Sequence, residues 1–371
     1  MTISQKIVIS ILFIQILIGE TPYVVMVSFD GFRYDYSERV DTPNFDYIRD
    51  NGAKANSIQP VFPTKTFPNH YSLATGAYTQ THMLTGNSFY DKKFKEKYSI
   101  SNRKVVQNPK WYMAEPIWVT AERQGVQTAS YFWVGSEAPI KGVFPSIYKY
   151  YDGSVTYESR VDSVIAWLQL PEATRPHLVM LYFDEPDHTG HEFGPNSPEL
   201  DKKIMYLDHI LGLLINNLFS LPVADEINLI VVSDHGMTPT SDERIINLNT
   251  FIKTDNYIID NSGPFAQITP RFFWQRFLFK NRFEKNPHLT VYPKKSIPHR
   301  YHFVNRNTRD FLLVAEDGWT ITSGKTNNKY DSISLGNHGY DPQVKNMHGI
   351  FYAMGPAIKQ GVTIETFENI H

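Results

Sequence analysis

Three stretches of this sequence are apolar almost without interruption, and each ends in acid. Residues 24–29 run into Asp30-Gly31, residues 178–183 into Asp184-Glu185-Pro186-Asp187, and residues 229–233 into Asp234-His235-Gly236. A run without polar alternation marks a strand covered on both faces. Helical spacing appears at 69–75, closed by Gly76, and at 154–170 and 197–218. Strands alternating with helices predict an α/β fold, with a mostly parallel central sheet and helices on both of its faces. No internal repeat or low-complexity linker divides the chain, so residues 21–371 read as one domain. Region 261–309 breaks the pattern. It is aromatic, basic and proline-containing with no clear period, and it reads as a small inserted subdomain, expected to lie as a lid over the site. Ligands of such sheets bind beyond the carboxyl ends of the strands. Three acidic strand ends meeting there make a strongly negative hole unless a cation sits in it.

The first residues follow a different rule. Lys6 precedes an apolar run at 7–18 that ends at Gly19-Glu20, so residues 1–20 read as a secretory signal peptide. The run is short for a spanning helix; an uncleaved N-terminal anchor and a buried first element are the alternatives. The 371 residues are 42% hydrophobic and 14% aromatic, enough for a large core. Charged residues make up 20%, and the formal net charge is −2, which gives no electrostatic case for long nucleic acid or an acidic membrane surface. A membrane enters this reading only through an uncleaved N-terminus. There are no cysteines, which excludes disulfides, thiolate ligands and cysteine nucleophiles. The chain also has no Asn-x-Ser/Thr sequon. Both absences lean towards an exported bacterial protein, periplasmic or secreted.

With sulfur excluded, metal ligands must come from His, Asp, Glu or hydroxyl groups. The candidates are Asp30, Asp187, His191, Asp234, His235 and His338. Asp187 and His191 share one face if a helix begins after Pro186. His338 sits in a glycine-flanked loop, where the backbone can approach a site closely. Taken singly, each has an ordinary reading as helix cap, turn or core histidine. Together, at strand ends, they are too many for one tetrahedral ion and suit two zinc ions, with other divalent metals as alternatives. A nucleophile is sought in Pro63-Thr64-Lys65-Thr66-Phe67-Pro68-Asn69-His70, just before a helix, where N–H groups and the dipole favour anions. Either Thr64 or Thr66, touching a metal, could attack phosphorus; the local pattern does not choose between them.

These segments, with Asp30-Gly31-Phe32-Arg33 and Asn337-His338-Gly339, occur in order from about residue 24 onward. Together they resemble the nucleotide pyrophosphatase/phosphodiesterase family of the alkaline phosphatase superfamily. The resemblance implies an alkaline-phosphatase-like catalytic domain that cleaves nucleotide phosphodiester or pyrophosphate bonds. It assigns Thr66 as the nucleophile that forms a covalent intermediate. Asp30, Thr66, Asp234 and His235 match the ligands of one zinc, and Asp187, His191 and His338 those of the other. Asn87 matches an amide that donates to a phosphate oxygen. Phe67 and Tyr151 match a pair that sandwiches a nucleobase, while Tyr182 and Trp133 fall where the family lines its nucleoside pocket. Lys65 is the one cation expected beside the nucleophile. The expected partner is a small nucleotide. The chain departs from animal members, which carry many cysteines and extra domains, and relatives usually continue past 367–371 with a further helix. The alternatives are a phosphomonoesterase or choline-lipid phosphodiesterase of the same superfamily, and, from another class, a non-catalytic nucleotide-binding protein.

Overall fold

Alternate residues of the first strand face opposite sides of the molecule, and this divides the core in two. Strand β1 (Tyr23–Phe29) sends Tyr23, Val25, Val27 and Phe29 into one cluster, and Val24 and Met26 against another. The computed structural model describes residues 21–323 and 334–371. The signal-peptide reading for 1–20 lies outside the described residues.

Besides short two-stranded pairs, the two larger sheets are built from β1 together with β2 (Ala53–Ala55), β3 (Thr128–Tyr131), β4 (Ile147–Lys149), β5 (Leu178–Phe183), β6 (Ile227–Val232), β7 (Tyr257–Asp260), β8 (Phe265–Pro270), β9 (Leu289–Pro293), β10 (Phe311–Ala315), β11 (Phe351–Met354) and β12 (Val362–Ile364). Eight of them form the central sheet in the order β12-β2-β11-β6-β1-β5-β3-β4. Within it β11 alone runs against its neighbours β6 and β2; β6, β1, β5, β3 and β4 are parallel. The mixed α/β fold with a mostly parallel sheet is thus as expected.

The main helices are α1 (Pro43–Asn51), α2 (Thr66–Thr75), α3 (Ile117–Arg123), α4 (Tyr157–Leu168), α5 (Asp187–Phe193) and α6 (Pro198–Leu218). Helices α1, α4 and α6 cover one face. Leu200, Ile204, Leu207, Leu211, Leu214 and Leu218 recur every three or four residues along α6 and are fully buried, each contributing about 1.5–3 kcal/mol relative to exposure. Ser197 caps α6 by accepting from the Leu200 N–H. The α1 N-terminus is capped from a distance instead: Asp208 of α6 accepts from the Asn44 and Phe45 N–H groups, both at 3.0 Å. Helices α2 and α3 cover the other face less completely, so Val24, Met26 and Ile230 stay half-buried.

Strands β7–β10 form a separate antiparallel sheet in the order β7-β8-β10-β9. Ile268, Phe279, Phe283 and Leu313 belong to its own core. Region 261–309 supplies two of its strands. The missing period has a physical cause, since the long link from β8 to β9 is made of 3₁₀ turns rather than a helix or strand.

Candidate active site

Register brings the acidic strand ends together. Phe29 of β1 pairs with Phe183 of β5, and Ser28 with Val232 of β6, so Asp30, Asp184 and Asp234 leave the sheet at one edge. Gly31, at φ +69°, turns the chain there and donates its N–H to Asp234 Oδ1 at 3.1 Å. A Cβ at Gly31 would lie 2.9 Å from Asp187 Cβ, so only glycine lets the two acidic turns close up.

The carboxylates and imidazoles converge. Asp187 and His191 occupy the first and last turns of α5, and Asp187, His191 and His338 form one group with ligand atoms within 4.8 Å of one another. His191 Nε2 lies 3.4 Å from Asp187 Oδ2, and His338 Nε2 lies 3.5 Å from Asp187 Oδ1. Across the same hole, His235 Nε2 lies 3.4 Å from Asp30 Oδ1 and 3.0 Å from Asp234 Oδ2. The rings of His235 and His338 stack at 3.6 Å. In each histidine Nδ1 is bound to a carbonyl: His191 to Gly336 at 2.7 Å, His235 to Gly236 at 2.8 Å and His338 to Thr64 at 2.8 Å. A carbonyl only accepts, so Nδ1 carries the proton and Nε2 keeps its lone pair towards the hole. Gly336 permits the His191 contact, because a Cβ there would meet the Gly190 carbonyl at 2.4 Å.

Three carboxylate oxygens in the hole accept no hydrogen bond from the protein: Asp30 Oδ1, Asp187 Oδ1 and Asp234 Oδ2, all buried. Burial, then the charges on Asp234 and Asp187, push the Asp30 carboxyl well above the usual range. Burial also acts on Asp234, but His235 and His70 outweigh it and hold that carboxyl well below the usual range. His235 is raised, since Asp234 outweighs the burial that would lower it, and His338 is driven well down by burial, His235 and Lys65. Lone pairs on three Nε2 atoms and three orphaned carboxylate oxygens are the donor set a divalent cation requires, so the residues fit a metal.

The structure separates the two threonines. Thr66 is the first residue of α2, which starts earlier than the sequence suggested. Its hydroxyl lies 3.4 Å from His235 Nε2. The Thr64 hydroxyl is engaged elsewhere, accepting from the Gly339 N–H at 2.8 Å and donating to the Tyr340 carbonyl at 3.2 Å. Beside Thr66 a cavity of 430 Å³ is lined by Asp30, Lys65, Phe67, Asn87, Tyr151 and His338, among others. Asn87 Oδ1 accepts from the Phe67 N–H at 3.0 Å, leaving the amide NH₂ group for the cavity. Lys65 donates to Asn337 at 3.2 Å, and burial lowers its ammonium to about 8.

Tyr182 and Trp133 also line the cavity, yet both are bound to its frame. The Tyr182 hydroxyl donates to Asp30 Oδ2 at 2.7 Å, and Trp133, 1% exposed, donates its indole N–H to the His70 carbonyl at 3.1 Å. Among the described residues, none from 261–309 lines this cavity. Three groups escaped the sequence reading. His70, four residues after Thr66 on the same helix, binds the Thr66 carbonyl through Nδ1 at 3.0 Å, lies 3.2 Å from Asp234 Oδ2, and meets the Ser28 hydroxyl through Nε2 at 2.8 Å. The i,i+4 spacing could have revealed His70; nothing local marks Ser28. Arg103 lines the cavity, ion-pairs with Glu137 and lies 5.5 Å over the Tyr151 ring. Lys65 is therefore not the only cation there.

A hydroxyl beside two carboxylate–imidazole clusters, at the carboxyl edge of a mostly parallel sheet, is a site fit to hold divalent cations beside a nucleophile. Residues 24–341 match the model of the type I phosphodiesterase / nucleotide pyrophosphatase family. The chain belongs to that family. It is 38% identical over 363 residues to rat ectonucleotide pyrophosphatase/phosphodiesterase family member 1, covering 95% of this chain and 40% of the relative. With the venom phosphodiesterase of the cobra Naja atra it shares 37% over 358 residues, covering 94% and 43%. Human family member 5 is 37% identical, with 93% of this chain and 72% of that protein covered. The chain thus spans about two fifths of the length of the rat relative. A solved structure of murine family member 5, an inactive threonine-to-alanine variant in complex with AMP, superimposes with a TM-score of 0.87 at 37% identity, covering 94% of this chain and 92% of that one. These relatives are animal proteins, whereas the sequence leaned towards bacterial export.

Proposed function

We propose that this chain is an extracellular zinc hydrolase that cleaves nucleotide phosphodiester or pyrophosphate bonds and releases nucleoside 5′-monophosphates. The observation that carries the reading is the Thr66 hydroxyl at the N-terminus of α2, 3.4 Å from His235 in a hole of orphaned carboxylates. Asp30, Thr66, Asp234 and His235 would hold one zinc, and Asp187, His191 and His338 the other. Bound there, zinc would lower the pKa of the hydroxyl and neutralise charge on the reacting phosphate. Thr66 Oγ1 loses its proton and bonds to phosphorus as the bond to the leaving oxygen breaks, giving a nucleotidyl-threonine; the leaving oxygen takes up a proton. Water then cleaves that ester, and Thr66 regains its proton. The Asn87 amide donates to a non-bridging phosphate oxygen, a role that typically supplies about 2.7–4 kcal/mol. Phe67 and Tyr151 bracket the base, contributing about 1–3 kcal/mol with little regard to its identity.

Support for the nucleotide comes from the murine relative's AMP complex, and support for an extracellular place from relatives named as ectoenzymes and venom enzymes. Among the described residues no helix is long and apolar enough to cross a membrane. The test is hydrolysis of a nucleoside monophosphate p-nitrophenyl ester against p-nitrophenyl phosphate, with zinc, with chelator, and with Thr66→Ala. Preference for the diester, lost on chelation and in Thr66→Ala, is expected. Preference for the monoester would make the protein a phosphatase, and no turnover by folded, zinc-loaded protein would leave a choline-lipid substrate or a binding role.

A further inference from the structure

The link from β8 to β9 holds five of its apolar side chains outward. Phe272, Phe273, Trp274, Phe277 and Leu278 are 44%, 68%, 57%, 77% and 58% exposed. The surface of a soluble monomer normally scatters such residues singly. Here they are presented by an anchored platform. Phe279 and Phe283, a helical turn apart, are buried in the core of the second sheet, with Phe279 stacked on Phe311 at 4.3 Å. Arg276 is ion-paired to Asp310 at 2.9 Å, and the Phe272 and Trp274 rings stack at 4.9 Å.

The segment itself carries charge of one sign, although Asp310 pairs with Arg276 and Glu284 follows it directly. Residues 261–283 contain Arg271, Arg276, Lys280 and Arg282 and no Asp or Glu, in a chain whose net charge is −2. The whole-chain balance hides this local excess. Phe, Trp and Leu flanked by Arg and Lys match the two layers of a bilayer surface. The rings enter the boundary of the acyl region, while the cationic heads stay at the level of the phosphates. A second copy of the chain fits poorly, because a symmetric contact would set these cations against each other. We propose that segment 271–282 docks the protein peripherally on an anionic lipid surface. This stands apart from the catalytic reading, since the segment does not line the cavity.

The probe is the full chain with vesicles of brominated phosphatidylcholine, with and without phosphatidylserine. Trp111, Trp118, Trp133 and Trp167 are buried, Trp319 is half-buried against His288, and residues 1–20 contain no tryptophan, so the emission that Trp274→Phe removes reports this segment and ignores the N-terminal run. Anionic brominated vesicles are expected to quench the part of the emission that Trp274→Phe lacks. Zwitterionic vesicles should quench it several-fold less, and added salt should reverse the effect. K280Q/R282Q should weaken the quenching and W274S/F277S should lower vesicle binding, both with unchanged thermal midpoints because these side chains are exposed. Absence of Trp274 quenching by anionic vesicles overturns the proposal. So does a concentration-dependent dimer that W274S/F277S abolishes, which would assign the ridge to a second copy.

Discussion

His70 shows how far the site extends beyond its ligands. Its Nδ1–H is committed to the Thr66 carbonyl and its Nε2 to Ser28, so it has no lone pair free for a metal. It braces Asp234 and the first turn of α2 instead. On the zinc reading proposed above, replacing His70 with Ala should weaken zinc binding and lower kcat by about 10–100-fold, as loss of such supporting groups generally does, with KM little changed; a metal titration alongside steady-state kinetics checks this. A large rise in KM alone would point to substrate contact. At this scale, what the sequence shows depends on whether the decisive partners are near. Asp187 and His191 could be paired from spacing, because one helix carries both. Thr64 and Thr66 could not be told apart, because the difference lies in what Gly339 and Tyr340 do to Thr64. Arg103 reaches the cavity through its pairing with Glu137, which no local pattern announces.

Among the elements, the legible ones were those with a dense apolar signal. β1 and β5 fall on their runs, and Ser197 caps α6 as its residue type suggests. The antiparallel β11 and the short β2 and β12 depend on pairing across the sheet, which periodicity does not encode. The capping of α1 from α6 is likewise a long-range matter. Asp208 also binds the Asn44 side chain at 2.7 Å. Asp208→Ala would leave the α1 N–H groups unsatisfied and should cost about 1–3 kcal/mol, seen as a lower urea midpoint with an unchanged slope. Loss concentrated in α1 and α6 by hydrogen exchange would locate it; no loss would mean that water replaces the carboxylate.

For the whole molecule, sensitivity to acid follows from buried histidines kept neutral. Burial lowers His82 to about 3, and its Nδ1 accepts from the Leu84 N–H at 3.1 Å. Burial, then Lys345, lowers His348 to about 4. Below the ordinary value of 6.5 the unfolded chain takes up protons that the folded chain refuses, so stability falls as pH drops from 6.5 towards 4. Urea unfolding with chelator present, repeated on His82→Gln, should show a shallower pH dependence in the variant; identical slopes would contradict the assignment. The order of the parts along the chain has a consequence in time. Asp187 and His191 are neighbours as soon as α5 forms, but the third member of their group is His338, held by the Thr64 carbonyl across 274 positions. A chain emerging from the ribosome can gather the first pair early, yet it cannot complete that group until six of the eight strands of the central sheet have been made. On the zinc reading proposed above, metal capture would therefore be a late event in this protein's birth, and the ion would meet a nearly finished molecule.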